Sequence, residues 1–318
     1  MKVLQRYQKE AKAKNCRTRR ILMDYIIETK SLTKKYGNKA AVNEMSLHVK
    51  KGDIYGLIGK NGAGKTSLMK LLLGLTLPNA GEIQLFGSSN LAVARQKIGS
   101  LIEAPALYKN ETAFENMKRF AILSPTSGDE IHRLLKLVGL DNTGTKKAGK
   151  FSLGMRQRLG IAIALLGNPE VMILDEPING LDPAGIKEIR DIILELNHQG
   201  VTFVISSHLL DELGKIATNY GIVSDGVLVE EISVAELETK CRTSLTIAVD
   251  NVPMAMDILM HLHNDFKIES DNNTVHVLSP VKDSSLINEE LVRNGVKVYE
   301  LKNESMGFED FFIERLGR

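Results

Sequence analysis

The stretch that most constrains the fold is "GKNGAGKTS", Gly59 to Ser67. The apolar run "DIYGLIG" leads into it and "LMKLLLGL" follows, so the glycines stand between a strand and a helix. A glycine, four further residues and then Gly-Lys-Thr is the spacing of a loop that wraps phosphate. Gly59, Gly62 and Gly64 allow a tight turn that aims backbone N–H groups at phosphate oxygens, with Asn61, Ala63 and Ser67 completing the loop. The following helix adds the positive end of its dipole. On this pattern Lys65 reaches the β and γ phosphates of a nucleotide and the Thr66 hydroxyl holds Mg²⁺. A chance glycine turn would not come with both flanking elements, so nucleotide binding is the first functional expectation.

"VMILDEP" supplies the second half of such a site. Asp175 ends an apolar strand, where a carboxylate can hold Mg²⁺ through water, and the adjacent Glu176 is placed to orient or deprotonate an attacking water. Two acids at a buried strand end are costly without partners, and a metal beside a phosphate provides them. The next strand, "VTFVISSH", ends at His208. A histidine after a strand is usually structural, and only the company of the other residues makes it a γ-phosphate contact.

Along the chain, strands alternate with amphipathic helices from Tyr25 to about Glu231. "VMILDEP" and "VTFVISSH" are continuous apolar runs of the kind buried on both faces, which describes an α/β fold with a mostly parallel sheet covered by helices. Helices are expected around "TAFENMKRFAIL" and "GDEIHRLLKLVGL", and a corner at "LIEAPALY", where Pro105 stops any regular element and leaves Glu103 on a loop at a strand end. From about Leu237 the pattern changes. "SLTIAVD", "NTVHVLSP" and "GVKVYEL" read as strands among the helices "VPMAMDILMHLHNDF", "SLINEELVRNG" and "GFEDFFIERLG", a small separate α+β domain. The expected boundaries are a basic, dispensable segment at 1–22, a nucleotide-binding domain at 23–235 and an accessory domain at 236–318.

Charge and composition exclude several classes. The net charge of +2 conceals a basic head: residues 1–20 carry eight Lys or Arg and one acid, leaving 33 basic and 38 acidic residues in the rest. A mildly acidic body argues against nucleic acid as partner. No window approaches the ~18 uninterrupted apolar residues of a membrane span. The head lacks the apolar centre of a secretory signal. Cys16 and Cys241 have neither metal spacing nor a disulfide framework, which fits a reducing cytoplasm. His261 and His263 lie two apart and so face different ways on a helix.

At "FSLGMRQRLGIAIAL" the chain resembles the ATP-binding cassette (ABC) ATPases, whose signature is a Ser-Gly-Gly-Gln run opening a helix. Ser152, Leu153, Gly154 and Met155 stand at those positions. Leu153 and Met155 depart from the commonest form, while Ser152 and Gly154 keep the hydroxyl and the glycine that can contact phosphate. The resemblance covers Tyr25 to Glu231 and implies a phosphate-loop cassette with a mostly parallel core sheet, an antiparallel β subdomain and a helical subdomain. It also implies that Ser152 and Gly154 serve the ATP of an opposite subunit in a homodimer or paired cassette. Asp182 in "INGLD" would cross that interface, and Tyr36 would stack on adenine. Where the family usually carries a glutamine that touches Mg²⁺ and the attacking water, this chain has Glu103.

Such a glutamate is characteristic of ATPases similar to bacitracin-resistance and lantibiotic-immunity exporters. A carboxylate keeps an oxygen for the metal but adds negative charge near triphosphate, so it is expected to be tolerable only with Mg²⁺ bound. What the resemblance implies is an ATP-hydrolysing subunit at the cytoplasmic face of the cell membrane, energising efflux through separate membrane-spanning permease subunits. An exporter for another substrate is the alternative, or a soluble ABC protein. Ribosome-acting ABC proteins carry two cassettes, and repair ATPases carry a long heptad insertion; neither feature is present. A phosphoryl transferase would leave Ser152 to Met155 unexplained.

Overall fold

A computed structural model describes residues 25–124, 126–240, 243–262, 266–279, 283–305, 311–313 and 315. The basic head, Cys16, Cys241, His263 and most of the last expected helix lie outside them. The chain divides into two compact units, one ending at Ser233 and the other beginning at Val234.

In the first unit, β1 (Tyr25–Tyr36), β2 (Lys39–Met45) and β3 (His48–Lys50) lead to β4 (Ile54–Ile58), helix α1 (Lys65–Leu73) and β5 (Ala80–Leu85). β1 pairs antiparallel with β2, β3 and β5, forming a four-stranded sheet. The run "EMSLHVK" is divided between two strands: Glu44 has φ 50, β2 stops at Met45 and β3 starts at His48. Buried Thr29 bridges the break, its hydroxyl donating to the Met45 carbonyl at 3.0 Å and accepting from the Leu47 N–H at 2.9 Å. A polar side chain thus replaces the ladder bonds that an unbroken strand would have made.

The chain continues through α2 (Leu91–Arg95), β6 (Ile98–Leu101), α3 (Ala113–Phe120), α4 (Gly128–Leu137), α5 (Leu153–Ala164), β7 (Val171–Asp175), α6 (Pro183–His198), β8 (Thr202–Ser207), α7 (Leu210–Gly214), β9 (Asn219–Ser224) and β10 (Val227–Ser233). The second sheet has the order β10-β9-β4-β8-β7-β6 and is parallel except for β10 at its edge. Every residue of β4, β7 and β8 is buried, as continuous apolar strands in a parallel sheet require. Helix α1 packs between the two sheets: Leu68, Met69, Leu71 and Leu72 share one apolar core with Ile27, Leu47, Leu57, Ile173 and Val204. Glu231 on β10 also ties the sheets together. Its carboxylate accepts from the His48 N–H at 2.9 Å and from the Tyr55 hydroxyl at 2.7 Å, and burial beside it pushes the Tyr55 phenol well up.

Helices α3, α4 and α5 start at side-chain caps, from Thr112, Ser127 and Ser152 respectively. The second unit holds α8 (Val234–Lys240), β11 (Thr243–Val249), α9 (Val252–Leu262), β12 (Ile268–Asp271), β13 (Thr274–Val277), α10 (Ser284–Arg293) and β14 (Val298–Ser305). Its sheet is antiparallel in the order β12-β13-β11-β14. Leu245, Ile247 and Val249 alternate along one face of β11 and meet the helical pairs Ala255 with Leu259 and Ile287 with Leu291. β12 was not legible because "IESD" carries one apolar residue, and its pairing to β13 defines it.

Candidate functional site

The phosphate loop turns from β4 into α1, and two of its three glycines are fixed by close approach. A Cβ on Gly59 would lie 2.3 Å from the Val223 carbonyl oxygen, and one on Gly64 would lie 2.2 Å from that of Ala41. Gly64 also has φ +112, which a side chain would strain further. Gly62, with φ +82, faces open space instead. Ala63 anchors the loop, donating to the Lys60 carbonyl at 3.1 Å and accepting from the Gly226 N–H at 2.9 Å. Asn61 and Gly62 are exposed at the tip, and Thr66 and Ser67 are half-buried in the first turn of α1. Gly64 offers no side chain to cap that helix, so the first-turn N–H groups stay available to an anion.

Five of the expected residues form one connected set. Lys65 is buried, and its ammonium donates to the Gly59 carbonyl at 2.6 Å and faces Glu176 Oε1 at 3.4 Å. The Thr66 hydroxyl donates to Asp175 Oδ2 at 2.7 Å. His208 Nδ1 meets the other Glu176 oxygen at 2.8 Å. Glu176 Oε1 is buried and takes no hydrogen bond, which leaves a lone pair beside the Lys65 ammonium. Glu176 itself has φ 48. Ser206, at the end of β8, holds this backbone: its hydroxyl accepts from the Glu176 N–H at 2.8 Å and donates to Asp175 Oδ1 at 2.6 Å. The sequence reading passed over Ser206, although two serines ending an otherwise apolar strand were the available signal.

Thr66 and Asp175 present hard oxygen donors side by side, the type that Mg²⁺ takes when phosphate and water complete its shell. Among the described residues no group of three or more His, Cys, Asp or Glu is arranged so that it could hold a metal ion by itself. Mg²⁺ at a phosphate needs only one or two protein oxygens, so the donor set fits. With a buried cation, an uncapped helix start and open space over Gly62, the arrangement can cradle a nucleoside triphosphate beside a divalent ion.

Among the described residues Glu103 makes no hydrogen bond or ion pair to Thr66 or Asp175. Its Oε1 accepts a hydrogen bond from Lys70 of α1 at 2.8 Å. β6 pairs with β7 through Leu101 and Leu174, so Glu103 and Glu176 each lie two residues beyond that pair, and both are left-handed, with φ 60 and 48. The corner after Glu103 is fixed from two sides. Gly160 of α5 leaves room for Pro105, whose Cβ would lie 2.8 Å from an added Cβ. Fully buried Asn116 grips Tyr108, accepting from its N–H at 2.8 Å and donating to its carbonyl at 3.1 Å. Nothing in the sequence distinguished Asn116 from an ordinary solvated helix residue.

A second cluster gathers Ser152, Gly154 and Asp182. Ser152 caps α5, its oxygen accepting from the Met155 N–H at 3.2 Å, and Asp182 caps α6, accepting from the Gly185 N–H at 3.2 Å. A Cβ on Gly154 would be 4.0 Å from the Gly185 Cα and 3.8 Å from Leu181, so the two helix starts lie side by side. Among the described residues no hydrogen bond or ion pair joins this cluster to the phosphate loop. Tyr36, at the end of β1, is half-exposed, with the Lys34 ammonium 5.2 Å from its ring centre.

The family model described as ABC transporter matches residues 42–179. The bacitracin transport ATP-binding protein BcrA of Enterococcus faecalis is 40% identical over 302 residues, covering 93% of this chain and 98% of that protein. The chain belongs to the ABC transporter ATP-binding proteins. The lantibiotic transport ATP-binding protein SrtF of Streptococcus pyogenes is 43% identical over 206 residues, covering 65% of this chain and 90% of that protein. Among solved structures, an ATP-binding subunit of an ABC transporter superposes with a TM-score of 0.61 at 27% identity, covering 68% of this chain and 92% of that one. This ABC subunit is therefore an ATP-binding protein related to the bacitracin transport and lantibiotic transport ATP-binding proteins. Among its described residues no helix is long and apolar enough to cross a membrane.

Proposed function

We propose that this ABC subunit hydrolyses Mg²⁺-ATP at the cytoplasmic face of the membrane to energise efflux of a peptide antibiotic of the bacitracin type through separate permease subunits. The observation that carries the choice of substrate class is the extent of the likeness. The match to the bacitracin transport protein spans 93% of the chain and so takes in most of the unit beginning at Val234, whereas the lantibiotic match spans 65%. A relative that shares the accessory unit as well as the cassette is the better guide to the complex the subunit serves.

In this reading Thr66 and Asp175 would hold Mg²⁺, which would supply charge neutralisation to the triphosphate. Lys65 exchanges its loop carbonyl for phosphate, Tyr36 meets adenine, and Asn61, Gly62, Ala63, Gly64 and Ser67 line the phosphates. Glu176 takes the proton of the attacking water. His208, on the other oxygen of Glu176, orients that carboxylate and reaches the γ-phosphate. Ser152, Gly154 and Asp182 have no partner in the nucleotide site of their own chain. Their clustered helix starts support the reading that they act on the ATP of a second cassette.

The test is resistance. A bacitracin-sensitive bacterium expressing this chain with the permease genes that neighbour it should tolerate at least about tenfold more bacitracin, and Glu176→Gln should abolish the gain if it removes the base. Unchanged sensitivity with a complex that assembles and hydrolyses ATP, or protection against lantibiotics alone, overturns the bacitracin assignment.

A further inference from the structure

The Glu103–Lys70 pair answers a question that the nucleotide site leaves open: how a carboxylate is accommodated beside a triphosphate. Three observations set Lys70 against Glu103 and on the helix face that carries Thr66. It donates to Glu103 Oε1 at 2.8 Å. It follows Thr66 by four residues on α1, so the two side chains stand one turn apart on the same helix face, with Cβ atoms about 5–6 Å apart. Glu103 is held by its backbone, with φ 60 two residues after β6, in the corner clamped by Asn116 and Gly160. Its carboxylate is therefore delivered to α1 by the strand end rather than by the chance reach of a surface side chain.

We propose that Lys70 is a positioning residue for the nucleotide site, holding the Glu103 carboxylate on the phosphate-loop helix and cancelling its charge there so that nucleotide can bind before the metal. The inference rests on the ATP-site reading above. It replaces the expectation that only Mg²⁺ makes a glutamate tolerable at this corner, because a cation of the chain already stands against it.

A structural reading competes. Lys70 and Glu103 are 34% and 67% exposed, and pairs so open to water add little to stability. Stability is therefore the wrong measurement for this pair. Its electrostatics are the right one: the Glu103 hydrogen bond, and more weakly the Tyr36 and Asp175 side chains, raise Lys70, while the Lys70 hydrogen bond and charge lower Glu103. Lys70 is thus within electrostatic reach of the Asp175 side of the site as well as of Glu103.

The test measures ATP affinity of the full-length protein by calorimetry, once with Mg²⁺ and once with EDTA. Lys70→Met should weaken metal-free ATP binding by about three- to tenfold while changing Mg²⁺-ATP binding less than about twofold, and the effect should shrink as salt is raised. Lys70→Arg should match the wild type, and the double variant Lys70→Met with Glu103→Gln should recover metal-free affinity. Lys70→Gln serves as a second neutral variant should the methionine protein fold poorly. Equal weakening with and without Mg²⁺, unrelieved by Glu103→Gln, would make Lys70 a direct phosphate ligand and overturn the proposal. No change in either condition would reduce the pair to a surface contact. A wild-type protein that binds no ATP at all would remove the ATP-site reading along with this one.

Discussion

Glu103 and Glu176 occupy matching places on neighbouring strands, each two residues past the Leu101–Leu174 pair and each left-handed. Their surroundings differ. Glu176 is 21% exposed, with the Lys65 ammonium and the His208 ring against its oxygens, whereas Glu103 is 67% exposed and, among the described residues, forms its ion pair with Lys70 alone. The same backbone turn thus presents one carboxylate to a buried, polar cage and the other to the surface of the helix that carries the phosphate loop. Geometry at a strand end places an acid; burial and the identity of its cation decide what the acid can do.

The largest expected effect separates the two corners most sharply. Glu176→Gln should cut ATP hydrolysis by a factor on the order of 10²–10⁴ while leaving ATP binding nearly intact, because the amide keeps the shape but cannot take a proton. Steady-state phosphate release and calorimetry measure the two quantities. The same variant with ATP should run as a dimer in size-exclusion chromatography, and its ADP form as a monomer. Near-normal turnover would make the two carboxylates equivalent after all.

An intermediate effect concerns the support of the Glu103 corner. Asn116→Ala removes a fully buried side chain and leaves the Tyr108 N–H without its acceptor, while the Tyr108 carbonyl keeps the Glu111 N–H, and should lower unfolding stability by about 1–3 kcal/mol in urea denaturation. It should also reduce transport per ATP in a reconstituted complex while ATP affinity holds. If both quantities stay at wild-type values, the corner needs no anchoring.

The smallest effect belongs to Glu103 itself. Glu103→Gln should retain ATPase activity within about threefold of wild type, since length and one oxygen acceptor persist. Glu103→Ala, which removes every polar atom of the side chain, should lower transport per ATP more than it lowers hydrolysis. An unchanged ratio in both variants would leave Glu103 a solvated loop residue.

Much of the cassette was legible because its residues advertise their environment. The spacing from Gly59 to Ser67 dictated a strand, a turn and a helix, and an apolar strand ending in Asp175 and Glu176 required partners. Lys65 and Thr66 were nameable from that same spacing, and His208 only through the company of the other residues. What escaped were residues whose type is common and whose meaning comes from a neighbour far along the chain. Ser206 matters through contact with a strand ending some thirty residues earlier, Asn116 through the loop it grips, and β12 through the strand it pairs with.

Sequence by itself determined that this chain wraps phosphate, that its core sheet is mostly parallel and that an α+β portion follows, because short-range spacing and apolar periodicity are local properties of the polymer. Only the tertiary structure decided which cation each carboxylate meets. Glu103 and Glu176 are both acids near strand ends in the sequence, and the sheet register makes them neighbours by position. The helix lying across that edge then hands Lys65 to one and Lys70 to the other. Six residues of a single helix span both lysines, so the rotation of α1 on the sheet, set by the burial of Leu68, Met69, Leu71 and Leu72, is the physical reason for the difference.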